Sequence, residues 1–230
     1  MKRPYIICHM VQSIDGKVTG KFLSAPECEK AIGIYYELNR NYNADAFACG
    51  RVTMEESFTG KWYPDLSRYD GSTVPSDDYI ADADAGFYAV SFDRHGKLGW
   101  KTPRIIDDDP GYDGAHIIEV ITRDTDKRYL EYLRSIGVSY IFAGEHDTDI
   151  ALTLKKLYSI FGIKKLLLEG GSILNGAFER ERLIDELSLV TVPMFACGTD
   201  KPLFMNIKSK NFTLEQEKSY GDVVWERYLR

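Results

Sequence analysis

Apolar runs of strand length alternate along this chain with stretches whose apolar positions recur every three to four residues, and that alternation predicts most of its elements. Strand-like runs cover residues 5–11, 44–49, 117–122, 138–143 and 164–168, and helical patterns cover 28–42, 53–58, 127–136, 150–160 and 173–179. Strands apolar on both faces and separated by helices predict an α/β fold with a mainly parallel central sheet flanked by helices. From residue 187 the pattern changes to strands with no helix between them, at 187–192, 213–220 and 223–229. Gly221-Asp222 between the last two suits a hairpin, so the C-terminal edge of the sheet is expected to be antiparallel. Residues 60–114 break the rhythm. There Trp62, Tyr63, Tyr69 and Tyr79 stand among many Asp, Ser, Gly and Pro residues, the composition of a loop-rich insert that serves either as a lid or as surface covering.

Composition narrows the classes. A chain of 230 residues with 44% hydrophobic and 28% charged positions is that of an ordinary globular protein, expected as one domain over 1–230. The net charge of −6 comes with no Lys/Arg run, so no nucleic-acid partner is expected. Residues 4–11 are too short an apolar stretch for a signal peptide or membrane span, so no membrane association is expected. Cys8, Cys28, Cys49 and Cys197 lie far apart with no C-x-x-C pair and read as reduced thiols, which implies a cytoplasmic protein. No metal site is expected: in Glu145-His146-Asp147-Thr148-Asp149 adjacent residues point apart and Asp147 suits a helix N-cap, while residues 107–114 lack the spacing of a calcium loop. His9, inside the first strand, reads as a satisfied core residue rather than a base.

Candidate chemistry gathers where strands feed helices. Glu169-Gly170-Gly171 follows an apolar strand, and Ser172 is placed to cap the next helix, so the free N–H groups of Ser172, Ile173 and Leu174 form an anion site beside a carboxylate. Gly50-Arg51-Val52-Thr53 repeats this arrangement after the second strand, and the two turns can share one pyrophosphate; alternatively Thr53 only caps its helix. Thr122 and Arg123 end a further strand, where Arg123 either pairs with a cofactor 2′-phosphate, favouring NADPH over NADH, or lies on the surface beside Asp124 and Asp126. Ser13, Asp15 and Gly16 leave the first strand at the ligand-binding edge of such sheets, although Asp-Gly alone is a common turn. An ionised Glu169 at the end of an apolar strand requires donors on a ligand or on the protein.

Taken together, Glu169-Gly170-Gly171, the helical stretch 173–178, Leu183-Ile184-Asp185-Glu186-Leu187, Pro193 and Gly198 come in the order found in the C-terminal reductase domain of bacterial riboflavin-biosynthesis deaminase-reductases, a dihydrofolate-reductase-like family that the chain resembles. Ser13-Ile14-Asp15-Gly16-Lys17, Arg40 and Gly50-Arg51-Val52-Thr53 agree in order and spacing, so the resemblance spans nearly the whole chain outside 60–114. It implies an NADPH-dependent reductase of a ribosylaminopyrimidine 5′-phosphate that turns ribose into a ribityl chain. It also implies a homodimer built on the C-terminal strands, Asp15 as a hydrogen-bond partner or proton relay, Glu169 as a substrate ligand, and Ser24 and Arg40 on the substrate side. For Arg40 the plain alternative is a helix C-terminal residue opposing its dipole. The zinc-deaminase signature H-x-E with P-C-x-x-C is absent, which implies a reductase without the deaminase half. The chain departs from the family after Thr53. Relatives carry an Asp four residues on and then an Asn-Pro-x-Leu-x-x-Arg-like stretch, where this chain has Ser57 and Phe58-Thr59-Gly60-Lys61, with Leu66-Ser67-Arg68 nearest to its ending. Two other readings stay open at this level, a reductase of the same fold acting on a pterin or another carbonyl or imine, and a non-catalytic NADP-binding protein.

Overall fold

The computed structural model describes residues 2–196, 200–207 and 211–230. In chain order the elements are β1 (Tyr5–Ser13), α1 (Glu29–Asn41), β2 (Ala46–Gly50), α2 (Arg51–Met54), β3 (Tyr88–Phe92), β4 (His116–Ile121) and α3 (Lys127–Ser135). They continue with β5 (Ser139–Phe142), α4 (Ile150–Phe161), β6 (Lys165–Leu168), α5 (Ser172–Arg180), β7 (Glu186–Val192), β8 (Thr213–Tyr220) and β9 (Val223–Leu229). Contacts divide them into two compact units. The first comprises Met1–Pro4 and Asp45–Lys164, the second Tyr5–Ala44 and Lys165–Arg230.

The first unit carries four parallel strands in the order β2, β3, β4, β5. β3 was not expected from the sequence. Its five residues are all buried between β2 and β4, but they lie in a stretch whose Asp, Gly and Pro content hides a short apolar run. The rest of 60–114 is fastened along its length. Tyr63 bonds to Glu55, Gly71 N donates to Glu131 on α3 at 2.8 Å, and Tyr79 pairs with Tyr140 of β5. Asp78 accepts from Phe142 N at 2.9 Å and pairs with Lys156 of α4 at 2.8 Å. Through these contacts the insert covers this unit. α4 begins at Asp149, whose carboxylate accepts from Leu152 N at 2.8 Å; Asp147, the expected cap, instead pairs with Arg94.

In the second unit β1 lies between β6 and β7, parallel to both, and β9 and then β8 add antiparallel strands. The fold is thus α/β with a mainly parallel arrangement and an antiparallel C-terminal edge. α1 covers β1, β7 and β9 through Ile34 and Leu38, which pack with Val11, Val190, Val192 and Trp225. Val190 and Val192 are fully buried within the unit, so the apolar run of β7 belongs to its core. The exposed strand is β8, which alternates mostly polar residues. Cys8, Cys28 and Cys49 are buried, whereas Cys197 and Gly198 lie outside the described residues. Among the described residues no helix is long and apolar enough to cross a membrane.

His9 is a core residue, as its strand position predicts. Its ring stacks on Tyr35 with centroids 4.2 Å apart, Nδ1 lies 2.9 Å from Ser188 Oγ, and Nε2 lies 3.0 Å from the Tyr35 carbonyl. Burial holds its pKa down at about 4 against an ordinary 6.5. The unfolded chain takes up this proton below pH 6.5 and the folded chain only near 4. Stability from this residue is therefore complete above 6.5 and falls by about 3 kcal/mol as the pH drops toward 4. Urea unfolding of the wild type and His9→Gln across this range is expected to show a shallower pH slope for the variant; parallel slopes would refute the assignment.

Candidate active site

The Glu169 turn is held from α1. β1 and β6 pair with Cys8 opposite Leu168, so Glu169 emerges beside His9 on the face that α1 covers. There Asn39 Nδ2 donates to Glu169 Oε1 at 2.7 Å, which supplies a donor that a nearly buried carboxylate requires. Gly170 has φ +92°, a left-handed conformation that favours glycine, and a Cβ there would stand 3.2 Å from Met10 Cε. Gly170 and Gly171 are joined by a cis peptide bond.

α5 begins one residue earlier than expected. Gly171 is its N-cap and Ser172 is the first helical residue, so the Ser172 side chain does not cap the helix. Its Oγ and Asn175 Oδ1 are buried without a hydrogen-bond partner among the described residues. The Ser172 hydroxyl, a donor without a partner among the described residues, and the amides of Ser172, Ile173 and Leu174 at the helix start form an arrangement that accepts an anion, whereas Asn175 Oδ1 can only accept a hydrogen bond.

At the other end of β1, Ser13 Oγ donates to Asp15 Oδ1 at 2.6 Å and the Ala196 amide donates to the same oxygen at 3.0 Å. The Ser13 hydroxyl and the Ala196 amide together hold the Asp15 carboxyl below its ordinary pKa, so Asp15 is an ionised acceptor at neutral pH. Asp15 and Glu169 are not adjacent. Glu169 lies beside His9, and the four strand steps from His9 to Ser13 advance the chain about 13 Å. Ser24 and Arg40 are likewise separated: Ser24 precedes α1, while Arg40 is in its last turn, about 16 Å further along the axis from Glu29.

The remaining candidates belong to the first unit. Gly50 is the N-cap of α2, with φ −77°, and Thr53 is the third helical residue, so Thr53 does not cap the helix. Arg51 pairs with Glu55 at 2.9 Å, and the Tyr63 hydroxyl and Arg51 together keep the Glu55 carboxyl below its usual range. Thr122 is buried, and its hydroxyl donates to the Arg94 carbonyl at 2.8 Å. Arg123 is exposed, lies 3.9 Å over the Phe142 ring and donates to the Ser76 carbonyl. Sequence reasoning missed Asp93, Arg94 and His95 because it missed β3, whose carboxyl end they follow. Asp93 accepts from Leu98 N at 2.8 Å, and its burial raises its pKa. Arg94 Nε contacts His95 Nε2 at 2.9 Å. The signal that was available is the run Tyr88–Phe92 itself, a short apolar stretch ending in Asp-Arg-His-Gly.

The sequence model of the RibD C-terminal domain matches residues 101–224, more than half of the 230. The chain belongs to the RibD C-terminal domain family. Over 209 residues it is 26% identical to a 2,5-diamino-6-ribosylamino-4(3H)-pyrimidinone 5′-phosphate reductase of Aquifex aeolicus, covering 88% of this chain and 82% of that protein. A protein of the same name from Methanothermobacter thermautotrophicus is 26% identical over 202 residues, covering 86% and 82%. Among solved structures, a pyrimidine reductase-like protein of Corynebacterium diphtheriae superposes with a TM-score of 0.70 at 18% identity, covering 98% of this chain and 91% of that one. RibD of Acinetobacter baumannii gives 0.67 at 17%, with 99% of this chain over 58% of that one. These likenesses show the fold of the RibD C-terminal domain.

Changing Gly170 tests the local geometry. Gly170→Ala places a side chain at φ +92° and against Met10, and is expected to destabilise the protein by about 1–3 kcal/mol in urea unfolding. A variant as stable as the wild type would refute the backbone conformation described.

Proposed function

We propose that this chain is an NADPH-dependent reductase of a ribosylaminopyrimidine 5′-phosphate, of the kind for which the Aquifex and Methanothermobacter proteins are named. The observation that carries the reading is the buried Glu169 carboxylate, held by Asn39 at 2.7 Å where the Gly170-Gly171 turn opens α5. A carboxylate fixed in this way recognises ring N–H donors, and the turn beside it suits a phosphate.

NADPH, when bound, supplies the hydride. From the sequence pattern, Gly170, Gly171, Ser172, Ile173 and Leu174, and Gly50, Arg51, Thr53, Thr122 and Arg123, are assigned to it. The orphaned Ser172 hydroxyl fits the assignment, since it lacks a partner among the described residues. In the substrate the ring-opened sugar carbon gains the hydride and its nitrogen gains a proton, leaving a ribityl amine. Glu169 orients the ring, and Ser13, Ser24 and Arg40 are assigned to the substrate. Asp15, ionised and already accepting two hydrogen bonds, orients rather than protonates. Association into a homodimer is proposed through the exposed edge strand β8, whose outer backbone groups suit an isologous pairing.

Four outcomes are expected. NADPH raises the melting temperature more than NADH, and equal shifts would remove the 2′-phosphate role of Arg123. Gly171→Asp keeps the fold, because its backbone is extended and Asp is a favoured N-cap, but loses NADPH binding through charge repulsion. Glu169→Gln and Asp15→Asn lower turnover roughly a hundredfold with NADPH affinity within a few-fold, judged by steady-state rates beside fluorescence titration. Sedimentation gives about twice the 26.2 kDa chain mass, whereas Val190→Asp, buried under α1, yields unfolded protein rather than monomer.

A further inference from the structure

Helix α1 carries a polar side chain among its buried positions, beside the Glu169 turn. Its buried residues are Ala31, Ile34, Leu38 and Asn39, and Asn39 is only 5% exposed. An asparagine is disfavoured there on two counts: it is a poorer helix former than Ala or Leu, and its amide loses water on burial. Such a position calls for hydrogen bonds, and Asn39 Nδ2 donates to Glu169 Oε1 at 2.7 Å.

The helix is tied down on both sides of this amide. Tyr35, one turn earlier on the same face, stacks on His9 of β1, and its carbonyl lies 3.0 Å from His9 Nε2. A carbonyl only accepts, so Nε2 carries the proton of the neutral ring. Tyr42, the C-cap residue, donates through its hydroxyl to Glu186 Oε1 of β7 at 2.9 Å, and its carbonyl accepts from Lys165 Nζ at 2.7 Å. Lys165 is the first residue of β6, the strand that delivers Glu169. α1 is thereby fastened to β1, β6 and β7, so the donor and the turn that carries the acceptor share one frame.

We propose that Asn39 is a positioning residue of this site: its amide fixes the Glu169 carboxylate as an oriented acceptor, and with it the alignment of the ring that Glu169 meets. An amide N–H offers Oε1 only a donor, so it favours the ionised carboxylate over the acid. It also restricts the last torsion of the glutamate side chain, which is otherwise broad. An apolar residue in its place removes a donor from a buried carboxylate, and a second carboxylate repels it unless the two share a proton. Two titratable groups of β1 lie nearby. His9 is held neutral by burial, with a pKa of about 4, and the Cys8 thiol is pushed up by burial and then by the charges of Glu179 and Glu169. Glu179, on α5, is paired with Arg230. The inference rests on the reductase reading for what Glu169 contacts, but the coupling of Asn39 to Glu169 is tested apart from it.

Asn39→Leu and Asn39→Asp are compared with wild type in the full chain by two readouts. In an NMR titration of labelled carboxyl carbons, Glu169 is expected to titrate at a higher pH in both variants than in wild type. In steady-state assays with NADPH and a ribosylaminopyrimidine 5′-phosphate, Asn39→Leu is expected to lower kcat/KM about tenfold, with NADPH affinity by fluorescence titration within about twofold, and to add less than about twofold in a Glu169→Gln background. Asn39→Asp is expected to regain activity relative to wild type as the pH falls from about 8 to about 5.5, because a proton shared by the two carboxyls restores a donor toward Glu169. An unchanged Glu169 titration in both variants, or an Asn39→Leu effect of the same size with and without Glu169→Gln, overturns the proposal. If Asn39→Leu does not fold, Asn39→Asp, of the same shape, decides by its titration and pH profile. A moved titration with no turnover by wild type removes the reductase reading and leaves the coupling of the pair, whereas turnover that neither Asn39 variant alters removes the positioning role and leaves the reductase.

Discussion

The double pairing of β1 is the constraint on which the second unit depends. Buried between β6 and β7 and parallel to both, it sends His9 and Val11 toward α1 and Cys8 and Met10 to the opposite face. A slip of one residue would exchange the two faces, placing an aromatic ring stack and a methionine where neither has room. The same register sets Glu169 beside His9, within reach of Asn39, and places the Asp15 turn beyond the strand end. Hydrogen bonds on either side of His9 add a second lock, since Ser188 on β7 also accepts from Trp225 Nε1 on β9 at 2.9 Å.

This register places the two carboxylates in different surroundings. Glu169 is shielded and paired with Asn39. Asp15 is solvent-facing and stabilised in its ionised form, so it accepts hydrogen bonds and has no proton to give. The Glu-Gly-Gly turn serves both the carboxylate and the helix start: Gly170 allows the approach to Met10, and Gly171 opens α5 without a side chain in front of its amides.

The first unit carries a different internal economy of charge. Glu119, in the middle of β4, is fully buried, and desolvation pushes its carboxyl well above the usual range, with the negative Asp93 adding to the effect. It accepts a hydrogen bond from Trp100, a residue of the insert, so the insert contributes to the core as well as to the surface. The same insert engages Arg123 through Ser76, which makes the insert a determinant of how that guanidinium is presented. Arg94 and His95, at the end of the strand the insert conceals, bring further polar groups to the unit.

Periodicity was sufficient for the long elements, because a strand buried on both faces and an amphipathic helix each leave a repeating signature that no neighbour is needed to read. The hairpin Thr213–Tyr220 with Val223–Leu229, and the strand and helix flanking Glu169-Gly170-Gly171, were legible in this way. β3 was not, since five apolar residues acquire meaning only when β2 and β4 supply hydrogen bonds on both sides. Helix caps were misjudged at Ser172 and Asp147 because the first turn is set by which residue adopts extended backbone, and a single residue of shift changes it. The apolar run 187–192 is indistinguishable in sequence from an interface, and only the packing of α1 upon Val190 and Val192 assigns it to the core. The sequence by itself determined the identity of the carboxylates, the glycines and the alternation of elements. Tertiary structure decided which of them are near one another, since separations along β1 and α1 are fixed by strand register and helix rise, and whether each carboxylate is buried with a donor or exposed as an ion.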